Sequence, residues 1–204
     1  MTLFLATRIT AFVWLAWLVY WMIAASRAKR TRVRDTPSAM LMARVFMLLA
    51  AVTYLLRFRW FGPLQHRLFL PTLAILWISL ALTFAGLAFS VWARVVIAGN
   101  WSSTIELKQG HELIRSGPYA RIRHPIYSGV MFAGIGAVLL RPTGTSILAF
   151  ALLGIGFWAK ARREEAILAT QFGPALETYR RETGMFLPRI GQPDALRLPR
   201  HRPE

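Results

Sequence analysis

Long apolar runs separated by short polar connections dominate the pattern of the chain. Residues 9–26, 68–93 and 142–159 contain no charged side chain, and residues 38–56 contain one. A shorter apolar run covers residues 126–140. Because a helix of about 20 apolar residues crosses the hydrocarbon core of a bilayer, these runs predict an all-α integral membrane protein with about five transmembrane helices.

The two last apolar runs are joined by a short connection at residues 141–144, Arg-Pro-Thr-Gly. A connection of this length places consecutive helices side by side, so we expect the last two spans to form a tight antiparallel hairpin. The predicted organisation is residues 1–93 as three N-terminal spans, residues 94–190 as a core with a long polar loop, the hairpin and C-terminal helices, and residues 191–204 as a basic tail.

Composition and charge agree with a membrane protein. Of the 204 residues 55% are hydrophobic, mean hydropathy is +0.43, and the formal net charge is +16. The basic residues lie between the apolar runs, which indicates positive loops on the cytoplasmic side, in contact with anionic lipids, rather than nucleic-acid binding. The charge pattern therefore predicts an outer N-terminus and a cytoplasmic C-terminus and polar site. We also expect an uncleaved first helix, because only Arg8 is basic in the segment before the apolar run, and we take the membrane to be the inner (cytoplasmic) membrane of a bacterium. The absence of cysteine excludes disulfides, thiolate zinc sites and cysteine nucleophiles.

Most polar side chains of interest lie after residue 93, beginning with a long loop. Residues 104–107 alternate as in a short strand, residues 109–110 predict a turn, and residues 111–114 extend again. Residues 119–124 predict a helical turn. A loop of this length with its own order is commonly functional.

The stretch GPYARIRHPIYSG, residues 117–129, leads from this loop into the fourth apolar run. Pro125 suits the first turn of a helix, so His124 is predicted at the N-terminal mouth, beside backbone N–H donors that favour an anion. An alternative interpretation is that Arg121, Arg123 and His124 form a basic cluster in contact with lipid headgroups.

The acidic pair Glu164-Glu165 follows the fifth apolar run. In a helix Glu165 shares a stripe with Leu168 and Phe172, and an acid on an apolar stripe requires a partner. The hairpin would bring the pair close to residues 124–127. Two interpretations stay open, an ion pair with Arg121, Arg123 or Arg162, and hydrogen bonds to the hydroxyls or amines of a ligand. The break at residues 172–174 then leads to an amphipathic segment with Tyr179.

The motifs HELIRSGPYARIRHPIYSG, REEAILATQFG and YRRETGMFLP resemble the isoprenylcysteine carboxyl methyltransferase family over about residues 99–190. The resemblance implies a membrane-embedded enzyme that uses S-adenosylmethionine and has no Rossmann sheet. Its substrate would be a lipophilic molecule or lipid, most naturally a carboxylate such as a prenylcysteine, and it implies no metal. The natural acceptor and the oligomeric state stay undetermined.

The resemblance also implies roles for individual residues. Glu164 and Glu165 match the acidic pair of the family and take both cofactor-binding and catalytic roles. In the family an arginine faces the methyl acceptor; the strict spacing places Glu182 there, so we assign the catalytic role to Arg181, one residue earlier. The other implied cofactor contacts are Thr104, His111, Glu112, Leu113, Ile114, Tyr119, Arg123, His124, Pro125, Ile126 and Tyr127.

Three other functions remain as alternatives. A phospholipid or lipid-amine N-methyltransferase would share the cofactor motifs and differ in the acceptor. Sterol-type reductases carry a similar RH-x-N-Y signature and use NADPH, but this chain has Pro125 after the histidine and lacks the asparagine before Tyr127. A non-enzymatic lipid-binding membrane protein would have no affinity for S-adenosylmethionine.

Overall fold

The computed structural model describes residues 1–26, 31–34, 37–55, 59–97, 106–108 and 113–189, and it is almost entirely helical. Two short strands, β1 (Thr31–Arg34) and β2 (Glu106–Lys108), and two 3₁₀ segments, Arg59–Gln65 and Gly117–Ala120, lie between the α-helices. The α-helices are α1 (Leu3–Ser26), α2 (Pro37–Leu55), α3 (Leu73–Ile97), α4 (Pro125–Leu140), α5 (Gly144–Phe172) and α6 (Pro174–Glu182).

Every apolar run predicted as a helix contains an α-helix, although several boundaries differ from those of the runs. The third helix begins at Leu73 rather than at residue 68, because the N–H of Leu68 donates to the carbonyl of Pro142 at 2.8 Å and Thr72 caps the helix through the N–H of Ile75. The fifth extends to Phe172, so Glu164 and Glu165 lie on the membrane-exit helix itself. The predicted helical turn at residues 119–124 is a 3₁₀ turn at Gly117–Ala120.

Three helices among the described residues are long and apolar enough to cross a membrane, at Leu3–Ala24, Leu73–Ile97 and Gly144–Phe172. The chain is thus an integral membrane protein. Helix α4 and the apolar part of α2 are shorter than this criterion requires. A total of five spans and the tight hairpin of α4 with α5 stay predictions, since α4 packs mainly against α3 and α5 mainly against α2.

Helices α3 and α4 approach each other closely because small residues face each other along both. A Cβ added at Gly86 would lie 2.4 Å from the carbonyl oxygen of Gly129, and one added at Gly136 would lie 2.6 Å from that of Ser79. The Ser79 hydroxyl donates to the Gly136 carbonyl at 2.7 Å across this contact. Small residues that allow backbones to approach are the usual basis of helix association in membranes.

Helix α1 carries an aromatic stripe, and one of its members joins that helix to α3; the stripe consists of Trp14, Trp17, Tyr20 and Trp21. Trp17 donates from Nε1 to the hydroxyl of Ser90 at 2.7 Å, and its ring centroid lies 5.6 Å from that of Trp14 and 5.4 Å from that of Trp21. Helix packing therefore accounts for at least part of this stripe.

Contacts between the connecting segments show which helix ends lie on the same side of the molecule. Strands β1 and β2 pair in antiparallel orientation, so the connection after α1 and the connection after α3 lie on one side. On the opposite side, Arg67 forms a β-bridge with Thr143, and Arg141 donates to the carbonyl of Tyr54 at 2.8 Å, near the end of α2. The strand predicted at residues 104–107 is thus present two residues later, as β2.

Candidate active site

The start of α4 is fixed by a crossing segment from the C-terminal part of the chain. Residues 183–186, which we call the strap, run beside residues 121–124. The N–H of Arg123 donates to Gly184 O at 2.9 Å, that of His124 donates to Met185 O at 3.0 Å, and that of Gly184 donates to Arg121 O at 3.1 Å. Ser128 donates from its hydroxyl to Phe186 O at 2.6 Å. His124 is the N-cap of α4 and Pro125 opens its first turn, as predicted.

Glu165 is the most enclosed acid of the site. Its Oε1 accepts from Nε of Arg123 at 2.7 Å and lies 3.2 Å from Nε2 of His124, while its Oε2 accepts from Nε of Arg180 at 3.0 Å. One of the two open interpretations gave the acidic pair an arginine as its partner, and the other gave it a ligand. The structure shows the ion pair with Arg123 and adds Arg180 of α6.

Glu164, its neighbour, faces α4. The hydroxyl of Tyr127 donates to Oε1 at 2.6 Å, and Nδ1 of His124 lies 3.4 Å from Oε2. Nζ of Lys160, one turn earlier in α5, lies 3.9 Å from Oε1 and 5.4 Å from the centroid of the Tyr127 ring. The site thus combines two adjacent carboxylates with cations from three elements.

Aromatic rings form the apolar side of the site. The rings of His124 and Tyr127 are stacked with centroids 5.5 Å apart, and Tyr127 stacks on Phe157 of α5 at 4.7 Å. Phe186 of the strap lies 6.1 Å from His124. Flat rings beside carboxylates suit a ligand with an aromatic base and a positive charge.

His124 has each ring nitrogen beside a carboxylate, and only the protonated imidazolium donates from both nitrogens. Burial disfavours this cation, but the hydrogen bonds and charges of Glu164 and Glu165 outweigh burial and raise the pKa of His124 above its ordinary value. Burial also raises the pKa of Tyr119 and of Tyr179, so both phenols stay neutral at physiological pH. The Tyr179 hydroxyl donates to Tyr119 O at 2.7 Å and joins α6 to the 3₁₀ turn before α4.

The structure brings six of the predicted site residues together, namely Arg123, His124, Pro125, Tyr127, Glu164 and Glu165. Tyr119 is buried nearby, Ile126 is half-buried on α4, and Leu113 and Ile114 are half-buried in the segment that leads to the 3₁₀ turn. Thr104, His111 and Glu112 lie outside the described residues. The roles of all these residues stay predictions.

The two adjacent arginines of α6, Arg180 and Arg181, have different surroundings. Arg181 is exposed on α6, whereas Arg180 points to Glu165. Glu182, which the family spacing would place opposite the acceptor, forms an ion pair with Arg115. Sequence reasoning did not single out Arg180 or Lys160. The i, i+4 spacing of Lys160 and Glu164 was a usable signal, but no signal distinguished Arg180 from Arg181.

Fold and site together define a helical membrane protein with a buried polar cluster where three helices meet. The sequence model of the isoprenylcysteine carboxyl methyltransferase (ICMT) family matches residues 77–170, which include α4 and the acidic pair. This match confirms, over residues 77–170, the resemblance found in the sequence.

Individual relatives bear two kinds of name. The cobalt-zinc-cadmium resistance protein CzcN of Cupriavidus metallidurans is 34% identical over 136 residues, which are 65% of this chain and 55% of the relative. Protein-S-isoprenylcysteine O-methyltransferase of Schizosaccharomyces pombe is 35% identical over 101 residues, 48% of this chain and 43% of the relative. The chain therefore spans about half the length of these curated relatives.

Solved structures are also similar to the chain. One of them is that of the eukaryotic intramembrane Ras methyltransferase ICMT, with a TM-score of 0.47 and 22% sequence identity, and the similarity covers 78% of this chain and 55% of that one.

Proposed function

We propose that this protein is an S-adenosylmethionine-dependent methyltransferase of the membrane that acts on a lipophilic acceptor, most naturally a carboxylate of the prenylcysteine type. The observation that carries the proposal is the cluster of Glu164 and Glu165 with His124 and Tyr127, inside the region that matches the family. The S. pombe relative is named for O-methylation of protein S-isoprenylcysteine.

The donor and acceptor groups of the site fit this cofactor. Carboxylate oxygens accept from ribose hydroxyls and from the ammonium of the methionyl group, and each carboxylate offers about four acceptor positions. The rings of Tyr127 and Phe157 suit the face of adenine or a sulfonium. His124 and Arg123 supply positive charge for the methionyl carboxylate, although both already contact Glu165.

S-adenosylmethionine supplies a methyl group on a positive sulfur, which is already electrophilic. The residues of the chain therefore have to align the acceptor and exclude water, and alignment alone can lower a barrier by roughly 7–11 kcal/mol. A carboxylate acceptor needs no general base. An amine acceptor has to be neutral when it reacts and needs a base, for which Glu164 is the candidate because it is the more exposed of the two acids.

The position of the cluster suits a reaction between a water-soluble cofactor and a lipid. Along the chain, the charge-free part of α5 at residues 144–159 precedes the acidic pair, and the polar helix α6 follows it. We infer that the side of the cluster is cytoplasmic, because the basic connections lie there.

A role in binding metal has no support in the part of the chain that the structure describes. No group of three His, Asp or Glu residues in the described ranges could hold a metal ion. The metal-resistance name of CzcN concerns that relative.

Transfer of a labelled methyl group tests the proposal. Membranes that contain the protein receive methyl-labelled S-adenosylmethionine and a prenylcysteine analogue, and lipids are then extracted. Alkali releases label from a methyl ester as methanol but leaves an N-methyl group intact. We expect alkali-labile label that is lost in His124→Ala and Glu165→Ala, with equal amounts of protein in the membrane. Alkali-stable label indicates an amine acceptor, and no label in any lipid contradicts methyl transfer to lipid.

A further inference from the structure

The two adjacent glutamates have different surroundings. The side chain of Glu165 is 5% exposed and contacts Arg123, His124 and Arg180, which belong to the start of α4 and to α6. The side chain of Glu164 is 22% exposed. It contacts Tyr127 and His124 at the start of α4 and Lys160 of its own helix, and these three residues all lie outside α6.

Arg123 extends the contacts of Glu165 into the end of α6. In addition to its bond with Glu165, its Nη1 donates to Arg180 O at 3.3 Å and to Thr183 O at 2.5 Å. The last carbonyls of a helix lack partners within the helix, and an arginine that donates to them fixes the helix end. Arg123, Glu165 and Arg180 therefore join α4, α5 and α6, and we call these three residues the latch.

The acids also differ in the bonds they can still accept. Oε1 of Glu165 faces two donors, Arg123 and His124, and its Oε2 faces Arg180. In Glu164, Oε1 accepts from Tyr127 at 2.6 Å and Oε2 lies 3.4 Å from Nδ1 of His124, so each oxygen faces one donor, and the Lys160 ammonium at 3.9 Å is beyond hydrogen-bond length. A carboxylate oxygen accepts about two hydrogen bonds, so Glu164 retains more capacity as well as more exposure.

We propose that the acids divide the work: Glu165 is a positioning residue that latches α6 and the strap over the start of α4, and Glu164 is the acid that contacts hydroxyl or ammonium donors of the bound cofactor. The role of Glu164 depends on the proposed function. The latch does not, because it concerns the protein without any ligand.

Proteolysis of the ligand-free protein in detergent tests the latch. Helix α6 contains Arg180 and Arg181, so trypsin cleavage there reports how firmly α6 is held. We expect Glu165→Gln to raise the cleavage rate in α6 at least fivefold and to lower the unfolding temperature. Glu164→Gln should leave the cleavage rate within twofold of wild type. Glu177→Gln is the matched control, because Glu177 is an exposed acid that also contacts Arg180.

Affinity for S-adenosylmethionine tests the role of Glu164 separately from the latch. We expect Glu164→Gln to weaken binding at least tenfold with no change in α6 cleavage, a combination that a purely structural residue would not show. Arg123→Gln should also raise cleavage in α6, and the double variant should raise it by less than the product of the two single effects, because both changes remove the bond between Arg123 and Glu165.

Two results overturn the proposal. One is α6 cleavage that is unchanged in Glu165→Gln, and the other is equal cleavage in the two glutamate variants. Wild-type protein that binds no S-adenosylmethionine removes the role of Glu164 together with the proposed function, and the cleavage rates then judge the latch separately.

Discussion

The imidazole of His124 lies between two carboxylates, with Nε2 3.2 Å from Oε1 of Glu165 and Nδ1 3.4 Å from Oε2 of Glu164. A single protonated side chain at the start of α4 thus neutralises part of the charge of both acids on α5. The connection between these helices therefore depends on the protonation of His124.

The pH dependence of stability follows from this pair of contacts. The pKa of His124 is raised in the folded protein above the ordinary value of 6.5, because the two carboxylates outweigh burial. Its contribution is therefore complete below about pH 6.5 and is lost as pH rises through the higher folded pKa. We expect the difference in unfolding temperature between wild type and His124→Gln to shrink above pH 6.5. A difference that stays constant up to pH 9 would contradict the protonated bridge.

The close approach of α3 and α4 predicts the effect of a single methyl group. Gly86→Ala places Cβ 2.4 Å from the Gly129 carbonyl oxygen, so the helices have to separate, at a cost of about 1–3 kcal/mol or more. Thermal unfolding in detergent measures this cost. Gly154→Ala is the control, because the nearest atom to its Cβ is 3.9 Å away. Equal unfolding temperatures for the two variants would show that α3 and α4 do not pack as described.

The attachment of α1 depends partly on one hydrogen bond. Trp17→Phe keeps an aromatic ring but removes the bond to Ser90, and such bonds contribute about 0.5–1.5 kcal/mol. We expect a small fall in unfolding temperature. Trp77→Phe, on a side chain that is 58% exposed, should have no effect. The same fall in both variants would argue against a specific bond.

The strap depends on a glycine at its second position. A Cβ at Gly184 would lie 1.8 Å from the carbonyl oxygen of Leu187, so Gly184→Ala has to move the strap away from the start of α4. Amide hydrogen exchange should then be faster at Arg123 and His124, which donate to the strap, and unchanged within α3. Exchange that stays slow at both amides would mean that the strap tolerates a side chain there.

The helices could be predicted from the sequence because the apolar runs are separated from one another by charged residues or proline. The sequence also predicted that His124 and the acidic pair lie close together, because a hairpin at residues 141–144 would bring α5 back toward the start of α4, and the contact of His124 with Glu165 is present. What remained open was the partner of each acid. Arg121, Arg123 and Arg162 were equal candidates in the sequence, and only the coordinates show the bond to Arg123.

Packing between helices was much harder to predict. Gly86 faces Gly129 because small residues recur about once per turn on both helices. A hydropathy scale gives glycine, alanine and serine intermediate values, so it does not reveal this pattern. The pairing of β1 with β2 joins segments about 70 residues apart and has no local signal. The choice between Arg180 and Arg181 depends on the rotation of α6, which one break at residues 172–174 does not determine.

Binding of S-adenosylmethionine to the purified protein in detergent tests the central claim most directly. The account predicts saturable binding at one site per chain that NADPH does not displace and that His124→Ala abolishes, while Trp77→Phe binds as wild type does. Absence of binding to the wild-type protein, or full affinity in His124→Ala, would contradict a cofactor site at the start of α4.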